Sequence, residues 1–209
     1  MIQQFHRLLL LSIALFATTQ LFAQSTSSEI GVWALTSNLK DTTLVDPDGD
    51  LSIKFDEDLG FGVSFNHYWN DFFSTEISAQ KYGSDMRIGV EGLPGNFEAG
   101  SLDVTSLAAI AQLHFNRAGR VHPYLGAGIA RLSGNFDAID EAGADEDFDL
   151  DSEITWAASG GLQYSLTDRV ALAAEVRYSP WSAKAKGDPD SDALDLDPLT
   201  YGAGVKFRF

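Results

Sequence analysis

Cysteine is absent from the chain, which excludes disulfides, thiol nucleophiles, thiolate metal sites and the lipidated cysteine of an anchored lipoprotein. Basic residues are scarce. Against 30 aspartates and glutamates stand 14 lysines and arginines, and the net charge of −16 argues against nucleic acid as a partner. Beyond residue 23 no stretch approaches the roughly 18 to 20 unbroken apolar residues of a spanning helix. If the mature chain sits in a membrane, it does so as a closed barrel, because only helices and closed barrels satisfy their backbone groups in lipid. No proline-rich or low-complexity linker divides the chain, so residues 24–209 suit one domain.

What is present begins with a leader. His6 and Arg7 precede an apolar run from Leu8 to Phe16, then a small and polar stretch ending in Leu21-Phe22-Ala23. This is the order of a secretory signal peptide, and cleavage after Ala23 would start the mature chain at Gln24.

The other end is a strand. In LTYGAGVKFRF, Leu199, Tyr201, Ala203, Val205, Phe207 and Phe209 share one face, and Thr200, Gly202, Gly204, Lys206 and Arg208 the other. The chain stops on the aromatic itself, which resembles the terminal strand of outer-membrane barrels. That resemblance implies that Phe207 and Phe209 form a signal read by the barrel assembly machinery.

Between the two ends the same alternation recurs in three hairpins. The first runs from Leu59 to Gly83 about Trp69-Asn70-Asp71, the second from Leu102 to Leu132 about Asn116 to Arg120, and the third from Ile154 to Trp181 about Thr167-Asp168. A further strand, Glu29 to Leu39, is apolar on both parities and leaves the face of Trp33 open. Eight strands result, with three short turns at one end and four long loops (40–58, 84–100, 133–151 and 183–197) at the other, as transmembrane barrels are built. Aromatics cluster at both ends, as two interfacial girdles would. Tyr68, Trp69, Phe72, Phe73, Phe115 and Tyr164 lie near the turns; Tyr82, Trp156, Tyr178 and Trp181 lie near the loops.

The face opposite the apolar one carries Gly60, Gly62, Gly161, Gly202 and Gly204 beside Glu76, Glu175, Arg177, Lys206 and Arg208. Small residues suit a narrow lumen better than a solvated exterior, and charges of both signs can pair there. The apolar face is therefore expected in lipid. The expected lumen-lining residues are Glu76, Ser78, Glu175, Arg177, Lys206 and Arg208. Inward glycines favour an open bore; bulky inward residues and ion pairs favour a plug.

The stretches FGVSFNHYWNDFFSTEISA, AIAQLHF with HPYLGAGIA, ITWAASGGLQYSLTDRVALAAEVRY and LDPLTYGAGVKFRF resemble the OmpW family of small outer-membrane proteins. The resemblance spans nearly all of strands two to eight. It implies an eight-stranded antiparallel transmembrane β-barrel in the outer membrane of a Gram-negative bacterium, admitting small, often hydrophobic, molecules. It also implies a surface receptor for some bacteriocins or phages. Such a lumen is partly apolar, whereas the inward residues here are charged and polar, which makes it less welcoming to a hydrocarbon.

Chemistry elsewhere is thin. Asp46, Asp48, Asp50 and Glu57 superficially space like a calcium loop, yet Leu51 replaces the glycine and Lys54 stands at the ninth position. Asp145 to Asp151, with Asp137, Asp140 and Glu141 before it, reads as a solvated acidic loop, at most associating loosely with divalent cations that bridge to lipopolysaccharide. The mature histidines His67, His114 and His122 lie at strand ends and read as interfacial residues, with no nucleophile and base spacing around them. The expectation is a non-catalytic channel or uptake barrel without metal or cofactor, or alternatively a non-conducting structural or receptor barrel displaying acidic loops. Its partners are outer-membrane lipid and lipopolysaccharide, the assembly machinery and a small-molecule solute.

Overall fold

Period-two alternation makes each segment one-sided, and antiparallel pairing lines up those sides on a common wall. The computed structural model describes residues 27–44, 51–90, 96–139, 145–184, 186 and 193–209. The leader and Asp46, Asp48 and Asp50 lie outside the described residues. In chain order the strands are β1 (Ser27–Asn38), β2 (Thr42–Leu44), β3 (Leu51–Glu57), β4 (Leu59–Tyr68), β5 (Phe73–Val90), β6 (Asn96–His114) and β7 (Val121–Ile139). They continue as β8 (Asp145–Asp149), β9 (Glu153–Ser165), β10 (Val170–Tyr178), β11 (Ser182–Ala183), β12 (Leu194–Asp195) and β13 (Leu199–Arg208).

Eight of these form the ring β1-β4-β5-β6-β7-β9-β10-β13, every neighbouring pair antiparallel. It closes where β1 meets β13, from Glu29↔Arg208 to Asn38↔Leu199. The turns are tight for a local reason. The Asn70 side chain accepts from the N–H groups of Phe72 and Phe73, and the Thr167 hydroxyl accepts from those of Arg169 and Val170.

Three expected loops are in large part strand. β5, β6 and β7 are 18, 19 and 19 residues long and rise beyond the rest of the ring. Above β4, the free edge of β5 is covered by β3, from Glu57↔Ser84 to Leu51↔Val90, and β2 pairs β3 in turn. β8 covers the upper edge of β7. β5 and β6 shift register between Met86 and Arg87, opposite Gly100, whose φ of 151° and proximity to the Asp137 carbonyl leave no room for a Cβ.

The apolar face is outside. Phe61, Ile77, Leu125 and Ile129 are 68%, 66%, 60% and 58% exposed, in an apolar belt far beyond what a water-soluble monomer carries. Trp69, Phe72, Phe115 and Tyr164 form the exposed girdle at the turn end, and Trp156 stacks edge-on against Tyr178 at the loop end. Three aromatics expected in the girdles are instead buried inside: Tyr68, Tyr82 and Trp181. Tyr68 and Tyr82 lie on the inward parity of β4 and β5, and Trp181 folds in from the segment after β10.

Candidate functional site

Because side chains alternate along each strand, the ring delivers every second residue to its interior, and the interior is the candidate site. Glu76 and Ser78 enter from β5, Glu175 and Arg177 from β10, and Lys206 and Arg208 from β13. The first five are buried, while Arg208, at the turn end, keeps partial exposure.

In ring order β5 and β10 lie diametrically opposite, so a contact between them spans the whole bore. Arg177 makes it. One guanidinium nitrogen donates to Glu76 at 2.8 Å and to Glu175 at 2.7 Å, and the other donates to the Ser78 hydroxyl at 2.7 Å. Tyr124 on β7 donates to the second oxygen of Glu175 at 2.9 Å. Lys206 stands 3.5 Å from Glu76 and lies over the rings of Trp33 and Tyr124. Nearer the turns, Glu29 on β1 accepts from Arg208 at 2.7 Å, Tyr68 at 3.0 Å and Gln163 at 3.2 Å. Three carboxylates thus meet three cations in a cross-braced belt, the arrangement in which buried charges are tolerated.

The inward glycines do not hold the bore open. Three of them are recesses for aromatic rings: a Cβ on Gly204 or Gly202 would press on the Trp33 indole and one on Gly161 would collide with the Tyr124 ring, while Gly60 and Gly62 lie against the backbone and side-chain stems of Lys81, Tyr82 and Gln80. Trp33, whose face the sequence left open, points inward and donates to the Ser64 hydroxyl at 2.9 Å.

The turn end is closed as well. Arg117, from the turn between β6 and β7, stacks 3.7 Å from the centre of the Tyr68 ring and donates to Ser27 at 2.5 Å and to the Asn70 carbonyl. Burial draws its pKa below the usual arginine value, and Asp71 nearby works in the opposite direction.

Toward the loop end the lumen changes character. Leu35, Tyr82, Leu102, Val104 and Leu132 on the wall pack with Trp181, Ala183 and Leu196 from the segment between β10 and β13. The polar lumen expected from the sequence is therefore only its lower half. The signal was the inward parity of β6, which carries Gln112 and Ser106 with the small apolar cluster of Ile110 and Ala108 between them and is wholly apolar at Val104 and Leu102. Gln80 Oε1, the Ser37 and Ser159 hydroxyls and the Trp181 indole N–H are buried there without a protein hydrogen-bond partner among the described residues.

Two histidines expected at the interface also lie inside. His114 bonds the Ser74 hydroxyl at 2.8 Å beside the rings of Tyr68 and Tyr124, and His122 bonds the Gly119 carbonyl. Ser74 and His114 thus form a serine–histidine contact invisible to sequence spacing, but both are sealed in the belt. His67 stays on the wall, edge-on to Trp69. Among the described residues no group of three or more His, Cys, Asp or Glu side chains is placed to hold a metal ion. Glu57, the last position of the calcium-like spacing, accepts from Thr36 and Asn38.

Comparison with known proteins is consistent with this geometry. A family model described as outer membrane protein beta-barrel domain matches residues 8–209. Outer membrane protein AlkL of Ectopseudomonas oleovorans is 29% identical over 170 residues, covering 78% of this chain and 70% of that protein. In fold, the chain is similar to the crystal structure of OprG from Pseudomonas aeruginosa, with a TM-score of 0.71 at 16% identity over 89% of this chain and 97% of that one. It is also similar to the solid-state NMR structure of AlkL in lipid bilayers, with a TM-score of 0.59 at 20% identity over 90% and 92%.

Proposed function

This chain belongs to the outer membrane protein β-barrel family, and we propose that it is an OmpW-like member that takes up small apolar molecules, which enter from the loop end and leave sideways into the membrane. The observation that carries the reading is the division of the lumen by depth. An apolar upper half suits an apolar solute, while the belt centred on Arg177 ties opposite walls together below it. Carrying an apolar solute through the belt would separate buried ion pairs, at several kcal/mol each. A path through the wall avoids that cost.

The wall offers a place. The β9–β10 ladder ends at Tyr178↔Ala158, and among the described residues backbone bonding resumes at the Asp151 N–H, which donates to the Lys184 carbonyl. Pro180, with no N–H to donate, lies within that seam, and Trp181 packs behind it.

The same belt supports a second reading, a closed structural or receptor barrel. Two assays on the refolded protein separate them. Uptake predicts transfer of an apolar dye into vesicle membranes without resolved conductance steps in planar bilayers. A closed barrel predicts neither, and an aqueous channel predicts steps.

The protein acts without catalysis in this proposal, since Ser74 and His114 are out of reach of a solute. Residues 1–23 are removed as a signal peptide. Phe207 and Phe209, 48% and 71% exposed at the turn-end rim, serve as the assembly signal. Ions and lipopolysaccharide remain candidate partners of the outer rim.

A further inference from the structure

The outer wall is not uniformly convex. Two successive rungs of outward side chains leave a slanting hollow of about 620 Å³ that runs from Ile30 on β1 across β4, β5 and β6 to Arg131 on β7 and Ile154 on β9. Ala79 and Ala109 form its floor, and Phe65 and Leu107 stand beside them as banks. Five inter-strand spacings make it about 24 Å long, enough for an acyl chain lying aslant in a leaflet whose hydrocarbon is about 15 Å deep. It climbs, because Ile30 is near the turn end of β1 while Arg131 is halfway up β7.

Arg131 is the one charged residue lining the hollow. It donates to the Ser152 hydroxyl at 3.1 Å and, among the described residues, pairs with no carboxylate. Lys81, one rung above Ala79 on β5, also faces outward. It pairs with Asp103 at 2.8 Å, both half exposed, and such a surface pair contributes little and is readily exchanged. The two cations stand on either side of β6 and one rung apart, since Lys81 lies across Thr105 from Ser133 and Arg131 lies across from Leu107, which places their backbones about 12 Å from each other.

We propose that this hollow binds one phosphorylated glycolipid of the outer leaflet, with an acyl chain over Ala79 and Ala109 and its phosphates on Arg131 and Lys81. The fork of Arg131 matches a phosphate bidentately. A free fatty acid would bring a single carboxylate and satisfy only one of the two cations; a head group bearing two phosphates on a disaccharide reaches both.

Native mass spectrometry of the detergent-folded barrel with diphosphorylated lipid A, monophosphorylated lipid A and phosphatidylglycerol tests this, with folding checked by heat-dependent gel migration. The wild type is expected to retain one diphosphorylated lipid A in preference to the other two. Arg131→Gln, removing a charge-assisted contact, and Ala109→Leu, filling the floor, are each expected to weaken retention about tenfold. Ala79→Val is the milder filling variant if Ala109→Leu folds poorly. Retention unchanged in the variants, or equal retention of phosphatidylglycerol, would overturn the proposal. So would a dimer that forms without lipid and is lost on filling the floor, since the hollow would then be an interface between copies.

Discussion

Arg177 has three partners and no spare ones, which makes its removal informative. Arg177→Ala leaves Glu76 and Glu175 facing each other in the bore with only Lys206 and Tyr124 to compensate. Breaking a buried pair from one side is expected to cost about 3 kcal/mol, and Glu76→Ala a similar amount. The double variant is expected to cost less than the sum of the singles, as a urea-unfolding cycle in lipid vesicles would show. A second test concerns shape. Gly204→Val drives a side chain into the Trp33 indole, with an expected cost of about 1 to 3 kcal/mol for overpacking, seen as a smaller fraction of compact protein on unheated gels. Trp33→Ala in the same chain is expected to restore part of that loss. These residues were legible in sequence only as members of a face. The inward parity identified Glu76, Glu175, Arg177 and Lys206 as charges able to pair, and Glu175 and Arg177 sit two residues apart on β10, but the pairs that cross the bore join strands distant in the chain. Only ring closure brings Glu29 to Gln163 or Arg177 to Glu76.

At the scale of elements, the lipid-facing parts of the strands were readable because lipid on one side and a narrow bore on the other enforce period two. The alternation fades where a strand leaves the membrane, because water accepts either kind of residue outside. That is why 84–100 and 133–151 read as loops although β5, β6, β7 and β8 occupy much of them. β3 does alternate, with Ile53 buried and Lys54 exposed, but it lies within the acidic segment 40–58, whose composition is that of a solvated loop. The extension hinges on the irregularity at Gly100. Gly100→Ala is expected to destabilise the β5–β6 extension by about 1 to 3 kcal/mol, the cost of forcing a side chain into that backbone region. Limited proteolysis should then cut near residues 84–100 while heat-dependent migration of the barrel persists, since the ring below the bulge keeps its pairing.

Taken whole, the molecule is a barrel with its apolar surface outward, an ion-paired lower core and an apolar upper core. The two halves of the interior imply opposite behaviour toward water-borne ions and apolar solutes, and the proposed route out of the upper half runs through the seam where the β9–β10 pairing ends at Ala158. The most direct measurement locks that seam. The Asp151 N–H donates to the Lys184 carbonyl at 2.9 Å, a backbone bond that brings the two Cα atoms to about 5 to 6 Å across the seam, and the chain carries no other thiol. Transfer of an apolar dye into vesicles should be strongly reduced when the Asp151→Cys, Lys184→Cys pair is oxidised, and should return on reduction. Equal transfer in both states, with the disulfide verified by mass, would contradict sideways exit through this seam.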